Sequence, residues 1–305
     1  MAAVNVSTWS EFVTAFQTGT ASGPINLVAD IDMNSAVPLG ISSSVGGSYG
    51  KTVNGNGHQI RNLRTNVSSP VPIFQGGSST NSYYYFYDVD FVNLCLDAAL
   101  FDVRGNNFVN FNRCRFTGRR DANLVKVPDY AANRASFTQC FFNFTHSSNH
   151  GDAYSEMYTV NNKTDNGGRC VQFTLCKFKL NCSPRATIST TVFSSCAFSG
   201  CYFYGTVYTN TGSTYGLTSP TTVYTFGPLT SLFNPTTYTW LGANQGQFGF
   251  SASSSGGANK LYVNNTKCDN YVALTNVSTV LCTDAEMKSA QALLDKGLDI
   301  VVPIE

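Results

Sequence analysis

Acid–base catalysis and cation binding need carboxylates or imidazoles brought close together, and this chain offers few such groupings. Asp88 and Asp90 flank Val89, so on an extended strand both carboxylates point to one side and Val89 to the other. Two carboxylates on one face can serve a glycosidase when their separation suits the mechanism. A second grouping lies in THSSNHGDAYSEMYTVNNKTDNGG, which holds His146, His150, Asp152, Glu156 and Asp165. His146, His150 and Asp152 could ligate a metal ion, and Asp152 with Glu156 could exchange protons with a substrate. The plainer readings are a polar loop whose Asn, Asp and Gly residues make turns, and a solvated strand face for Asp88 and Asp90. His58, in GNGHQI, reads as a hydrogen-bonding turn residue. The expectation is therefore no catalytic set, no metal and no cofactor.

Ten cysteines need their own account. Zinc sites use close pairs such as C-x2-C, and the nearest spacings here (Cys196/Cys201, Cys170/Cys176, Cys176/Cys182) are not of that kind. The opening MAAVNVSTWSEF lacks the basic and apolar regions of a secretory leader, so a disulfide framework is not expected either. Their neighbours explain them better. Five segments share an aromatic, two residues, Cys or Val, one residue, then Phe: FYDVDF, FNRCRF, FTQCFF, FTLCKF and FSSCAF. The fourth positions are Val89, Cys114, Cys140, Cys176 and Cys196, and the closing ones Phe91, Phe116, Phe142, Phe178 and Phe198. Recurrence at roughly 20–45 residues marks a solenoid, whose units bury their apolar side only by stacking. Each segment alternates like a strand, with turn formers between, which predicts Phe over Phe and Cys over Cys. Cys then acts as a small hydrophobe, filling the place Val89 takes in the first unit. The fold class expected is all-β, a parallel β-helix.

TVNGNGHQIRNL (Thr52 to Leu63) resembles the opening coil of the right-handed parallel β-helix, or pectin-lyase-like, superfamily. Ahead of it, Trp9, Phe12, Val13 and Phe16 lie at helical spacing, with Thr8 and Glu11 as a capping box. This segment resembles the helix that plugs the first coil in such folds, and Pro24 to Met33 is expected to be the first strand. Near the other end, Thr283 and Glu286 form a second capping box and Lys296-Gly297 an exit, predicting a helix over 284–296. The last 45 or so residues, together with about the first 60, resemble β-helix proteins of phages and prophage-like elements. The expected organisation is a cap and first strand (1–50), coils (51–205), an uncharged Tyr/Thr-rich β region (206–260) and a terminal module (261–305).

The same resemblance raises polysaccharide cleavage. The hydrolase branch carries paired aspartates, a G-H-G turn and R-x-K; here His150-Gly151 lacks the preceding Gly, and no R-x-K occurs. The lyase branch needs calcium carboxylates and a positioned Arg, for which Arg113, Arg115, Arg119, Arg120 and Asp121 are candidates by proximity alone.

Charge points the same way. Only 12% of the 305 residues are charged, with 19 basic against 18 acidic, so there is no electrostatic footprint for nucleic acid. No apolar run reaches the length of a membrane span. From Ala186 to Asn259 there is no Asp, Glu, Lys, Arg or His, while Tyr208, Tyr215, Tyr224, Tyr238 and Trp240 are interleaved with Thr, Ser and Gly. A free surface normally carries charge against association, so these aromatics are interface candidates; a loop-rich surface and a sugar-binding face are the alternatives. The leading expectation is a non-enzymatic phage virion component, a capsid decoration, head fibre or tail appendage. It would be homotrimeric, as the resemblance implies, with self and other virion proteins as partners and host surface glycan as a contact. Alternatives are a polysaccharide depolymerase and a bacterial surface adhesin.

Overall fold

A computed structural model describes residues 2–145, apart from 19–22, 37–38, 48, 78–81, 106, 121, 123 and 127–133, and beyond them the segments 171–181, 196–199, 202–206, 208–210, 214–216, 223–226, 259–264, 277–287 and 289–296. Parallel strands stack into three sheets that wall a solenoid. The eight-stranded sheet runs Val4–Val6, Ile25–Leu27, Thr52–Asn54, Tyr83–Tyr87, Phe108–Asn112, Arg134–Thr138, Val171–Thr174 and Cys196–Ser199. The ten-stranded sheet begins Ile31–Asp32, Gln59–Arg61, Asp90–Leu96, Arg115–Arg120, Phe141–Thr145, Lys177–Asn181 and Tyr202–Thr206. Val45–Gly47, Phe74–Gly76, Phe101–Asp102 and Val125–Lys126 make the third wall.

The repeated segment is a corner between two sheets, where a single strand was expected. Its first Phe lies on the eight-stranded sheet and its last on the ten-stranded one, giving two columns in register. The first is Val53, Phe86, Phe111, Phe137, Phe173 and Phe198. The second is Ile60, Phe91, Phe116, Phe142, Phe178 and Phe203. The bend comes from a left-handed residue just before each Cys or Val: Asp88, Arg113, Gln139 and Leu175 all have φ of 53–54°. None is Gly and only Asp88 is of a type enriched in that conformation, so turn rules do not reveal a bend that recurs in every coil. Burial by the stack outweighs the local cost.

Phe86 lies 4.9 Å from Phe111 and Phe111 5.1 Å from Phe137, nearly parallel, while Phe91–Phe116 and Phe116–Phe142 repeat this at 5.3 and 5.2 Å. Such offset stacking adds to the gain from removing the rings from water. Val89, Cys114, Cys140 and Cys176 are buried at the bends. Each thiol donates to the Phe carbonyl one coil below: Cys114 to Phe86, Cys140 to Phe111 and Cys176 to Phe137, at 3.3–3.5 Å. Burial pushes the Cys114 thiol well above its ordinary value.

Cys196 departs from the expected column. It pairs with Val171, and Phe198 pairs with Phe173, so both belong to the eight-stranded sheet. In this register the fifth unit of the pattern is Phe198-x-x-Cys201-x-Phe203, with Cys201 as far from Cys176 in sequence as Cys114 is from Val89. FSSCAF and FSGCYF both satisfy the spacing, and only strand pairing with Phe173 and Phe178 selects the second frame.

The helix Trp9–Gln17 closes the first coil, with its Thr8/Glu11 capping box formed. Phe12 and Phe16 pack on Phe74 at 5.9 and 5.5 Å. Buried Lys51 reaches its C-terminal end, Nζ donating to the Thr18 carbonyl at 2.9 Å. The first strand is Val4–Val6, ahead of this helix; Pro24 to Met33 supplies two short strands on different sheets. Beyond Tyr202–Thr206 the ten-stranded sheet changes direction: Val223–Phe226 joins antiparallel, followed by Asn259–Asn264 and Val277–Cys282. The helix expected over 284–296 is two, Asp284–Met287 and Ala290–Asp295. Thr283 and Glu286 cap the first, and the Ser289 hydroxyl accepts from the Ala292 N–H to start the second. Among the described residues no helix is long and apolar enough to cross a membrane.

Candidate functional site

The solenoid's lumen is filled by side chains, so chemistry is confined to the outer walls. On the ten-stranded side, acidic and basic residues of successive coils face each other. Asp88 sits in the corner, where Arg113 of the next coil grips it with two hydrogen bonds of 2.6 and 2.7 Å. Asp90 begins the adjoining strand, 4.0 Å from Arg115, whose guanidinium lies 4.8 Å from the centre of the Phe141 ring. Asp30 meets His58 at 3.3 Å and Arg61 at 3.6 Å, and Asp97 meets Arg119 at 3.1 Å. His58 is therefore a hydrogen-bond partner of the preceding coil.

These contacts bear on the acid–base reading. Asp88 and Asp90 both face outward around buried Val89, but Asp88 is held bidentately by a guanidinium. Burial holds the Asp90 carboxyl above its ordinary value, against the pull of Arg115. A raised carboxyl favours the protonated native state, so its ionisation costs stability once the pH rises above the usual carboxylate range. Asp90→Asn is thus expected to raise stability slightly at pH 7, by less than about 1 kcal/mol, with the difference vanishing below about pH 4. Thermal melts at the two pH values check this, and a variant less stable at pH 7 would mean that the Arg115 pairing prevails. Among the described residues no cluster of His, Cys, Asp and Glu could hold a metal ion. His146, His150, Asp152 and Glu156 lie outside the described residues, as do Tyr238 and Trp240. Tyr208, Tyr215 and Tyr224 fall on short strands, Tyr224 opposite Tyr202 and Tyr262.

The outer face of the eight-stranded sheet is different in kind. In the strand Tyr83–Tyr87 alternation turns Tyr84 and Phe86 into the lumen and Tyr83, Tyr85 and Tyr87 outward. Tyr84 is anchored, its hydroxyl donating to the Gly47 carbonyl at 2.6 Å. The three outward rings stand within 11° of parallel, 6.5 and 6.2 Å apart, and Phe108 of the next coil lies 6.1 and 6.4 Å from Tyr83 and Tyr85. Tyr83 is 53% exposed. Amides and hydroxyls surround this row. Asn5, Asn26 and Asn54 form a column, Asn54 donating to Asn26 at 2.9 Å and Asn26 to Asn5 at 3.4 Å. Asn110 donates to the Ser136 hydroxyl of the following coil. Sequence reasoning placed its aromatic surface after residue 186 and missed this one, although aromatics at i, i+2 and i+4 around an apolar residue carry a readable signal.

The comparisons with known proteins agree with this architecture. The family model of a pectate lyase-like adhesive domain matches residues 3–172, more than half of the chain. No curated protein and no solved structure matches it. A parallel solenoid with a helical plug, walled by stacked corners and matched over residues 3–172, places the chain in the pectate lyase-like adhesive domain family, a pectin-lyase-like parallel β-helix.

Proposed function

We propose that the protein is an adhesive β-helix that holds polysaccharide on its outer wall and leaves the chain of sugars intact. The match of residues 3–172 to an adhesive domain carries this reading. The engagement of Asp88 by Arg113 supports its non-catalytic half, because that carboxylate could act on a sugar only after giving up a bidentate partner. Fold alone does not separate binding from cleavage, since related solenoids can host either. The finer form of the proposal sets this module on a phage particle as a homotrimer, on the strength of the resemblance at the two chain ends.

Incubation of the purified chain with a panel of capsular, glucan and pectic polysaccharides tests it. Retention of at least one polysaccharide is expected, without new reducing ends or absorbance from unsaturated products. Product above background would make the protein a depolymerase instead. Light scattering tests the assembly, for which three chains are expected and a single-chain mass would remove the trimer.

A further inference from the structure

We infer that the outer row of Tyr83, Tyr85, Tyr87 and Phe108 is the sugar-binding site, and that its ligand is an uncharged polysaccharide. The inference rests on the adhesive reading above and gives it a place and a ligand class.

The chemistry of the row fits a pyranose chain. One face of a sugar ring presents C–H groups of slight positive character, which suit the negative face of an aromatic ring. The ring edge presents hydroxyls, which need donors and acceptors close by. In register, Tyr87 lies between Asn54 and Asn112, and Tyr85 between Thr52 and Asn110. Every such neighbour is one coil away, about 4.8 Å along the solenoid. Tyr85 and Tyr87 thus each have an amide or hydroxyl beside them on both sides, while Tyr83 has Phe108 beside it. Three nearly parallel rings in line offer successive platforms to successive sugars of a chain. A lone monosaccharide would use only one.

Charge decides the ligand class. Thr52, Asn54, Tyr83, Tyr85, Tyr87, Phe108, Asn110 and Asn112 include no Asp, Glu, Lys, Arg or His. At the corner Asp88 and Arg113 neutralise each other, and Arg134 of the next coil is in register with Phe108 at the Tyr83 end of the row, away from Tyr87. An acidic polysaccharide needs cations along its path, and these three strands supply none on their outer face. Neutral glycans lose nothing there. The site is also cheap to preorganise, because the tyrosines stand on a strand whose intervening residues, Tyr84 and Phe86, are locked in the core.

The test measures wild-type chain and variants by surface plasmon resonance against laminarin and mannan as neutral probes and polygalacturonate as the acidic one. Wild type is expected to bind a neutral probe at least about tenfold more tightly than polygalacturonate. The double variant Tyr83→Ala/Tyr85→Ala should lose about tenfold in affinity, while Tyr83→Phe/Tyr85→Phe, which keeps the rings, should stay within about threefold. Unchanged melting temperatures confirm that the walls are intact. Full affinity in the alanine variant overturns the site and leaves the adhesive reading standing. Preference for polygalacturonate overturns the ligand class. A change of mass by light scattering in the alanine variant overturns the inference by making the row a contact between copies. Failure of wild type to bind any polysaccharide of the broader panel sinks the adhesive reading itself and this inference with it.

Discussion

Phe111→Ala is expected to cost about 3–5 kcal/mol of stability, the range for removing a fully buried phenyl ring. Phe111 is wholly buried in the middle of the first column and touches the second. Its ring stacks on Phe86 and Phe137 and meets the edge of Phe116 at 5.3 Å. A cavity there removes contacts on three coils together, and the stiff walls limit collapse into it. Because each coil of a solenoid touches only its neighbours, the damage should also reduce cooperativity. Urea denaturation should show an earlier midpoint and a shallower slope, the latter reporting coils that open separately. Phe111→Leu, which keeps most of the volume, should cost distinctly less. A loss below about 1 kcal/mol for the alanine variant would contradict the stacked lumen.

Gly118→Ala should cost about 3 kcal/mol or more, although it adds a single methyl group. Gly118 lies where the strand Arg115–Arg120 is one residue short against its neighbour: Phe116 faces Phe91, but Gly118 already faces Leu94. Its φ of 138° is one that side chains rarely adopt, and a Cβ there would strike the backbone nitrogen and oxygen of Leu94. Strain and collision add, and neither can relax, because the struck atoms belong to the paired strand. Gly46→Ala makes the control. A Cβ at Gly46 meets nothing within 4 Å, so its effect should stay within about 0.5 kcal/mol. Equal midpoints for the two variants in urea would refute the bulge.

The columns of Phe and Cys were legible because stacking forces chemically similar residues to recur, and recurrence survives insertions of any length. The corner was not. Of Asp88, Arg113, Gln139 and Leu175, which turn the chain, only Asp88 is a turn-forming type, and at Asp88, Arg113 and Gln139 the bend follows from flanking Phe residues buried on two walls. The same limit misplaced the last unit, since Cys196 and Cys201 each complete the pattern until Phe173 and Phe178 choose between them. At the far end, amphipathic spacing suggested one helix where a serine cap begins a second.

The candidate sites divide similarly. Asp88 and Asp90 were readable as outward neighbours, and the repeat sets Arg113 and Arg115 at the matching positions of the next coil; only the folded geometry makes the first pair bidentate and leaves the second at 4.0 Å. The tyrosine row was spelled out in YYYFY, yet its meaning depends on Asn54 below and Asn112 above, which are remote in sequence.

From its sequence alone, then, the chain determined its solenoid class, its dry Phe and Cys columns and its capped first coil, because these follow from periodicity and local hydrogen bonding. Tertiary structure decided the register, the bends and which polar groups meet, because those depend on pairings across a coil of chain that no local pattern encodes.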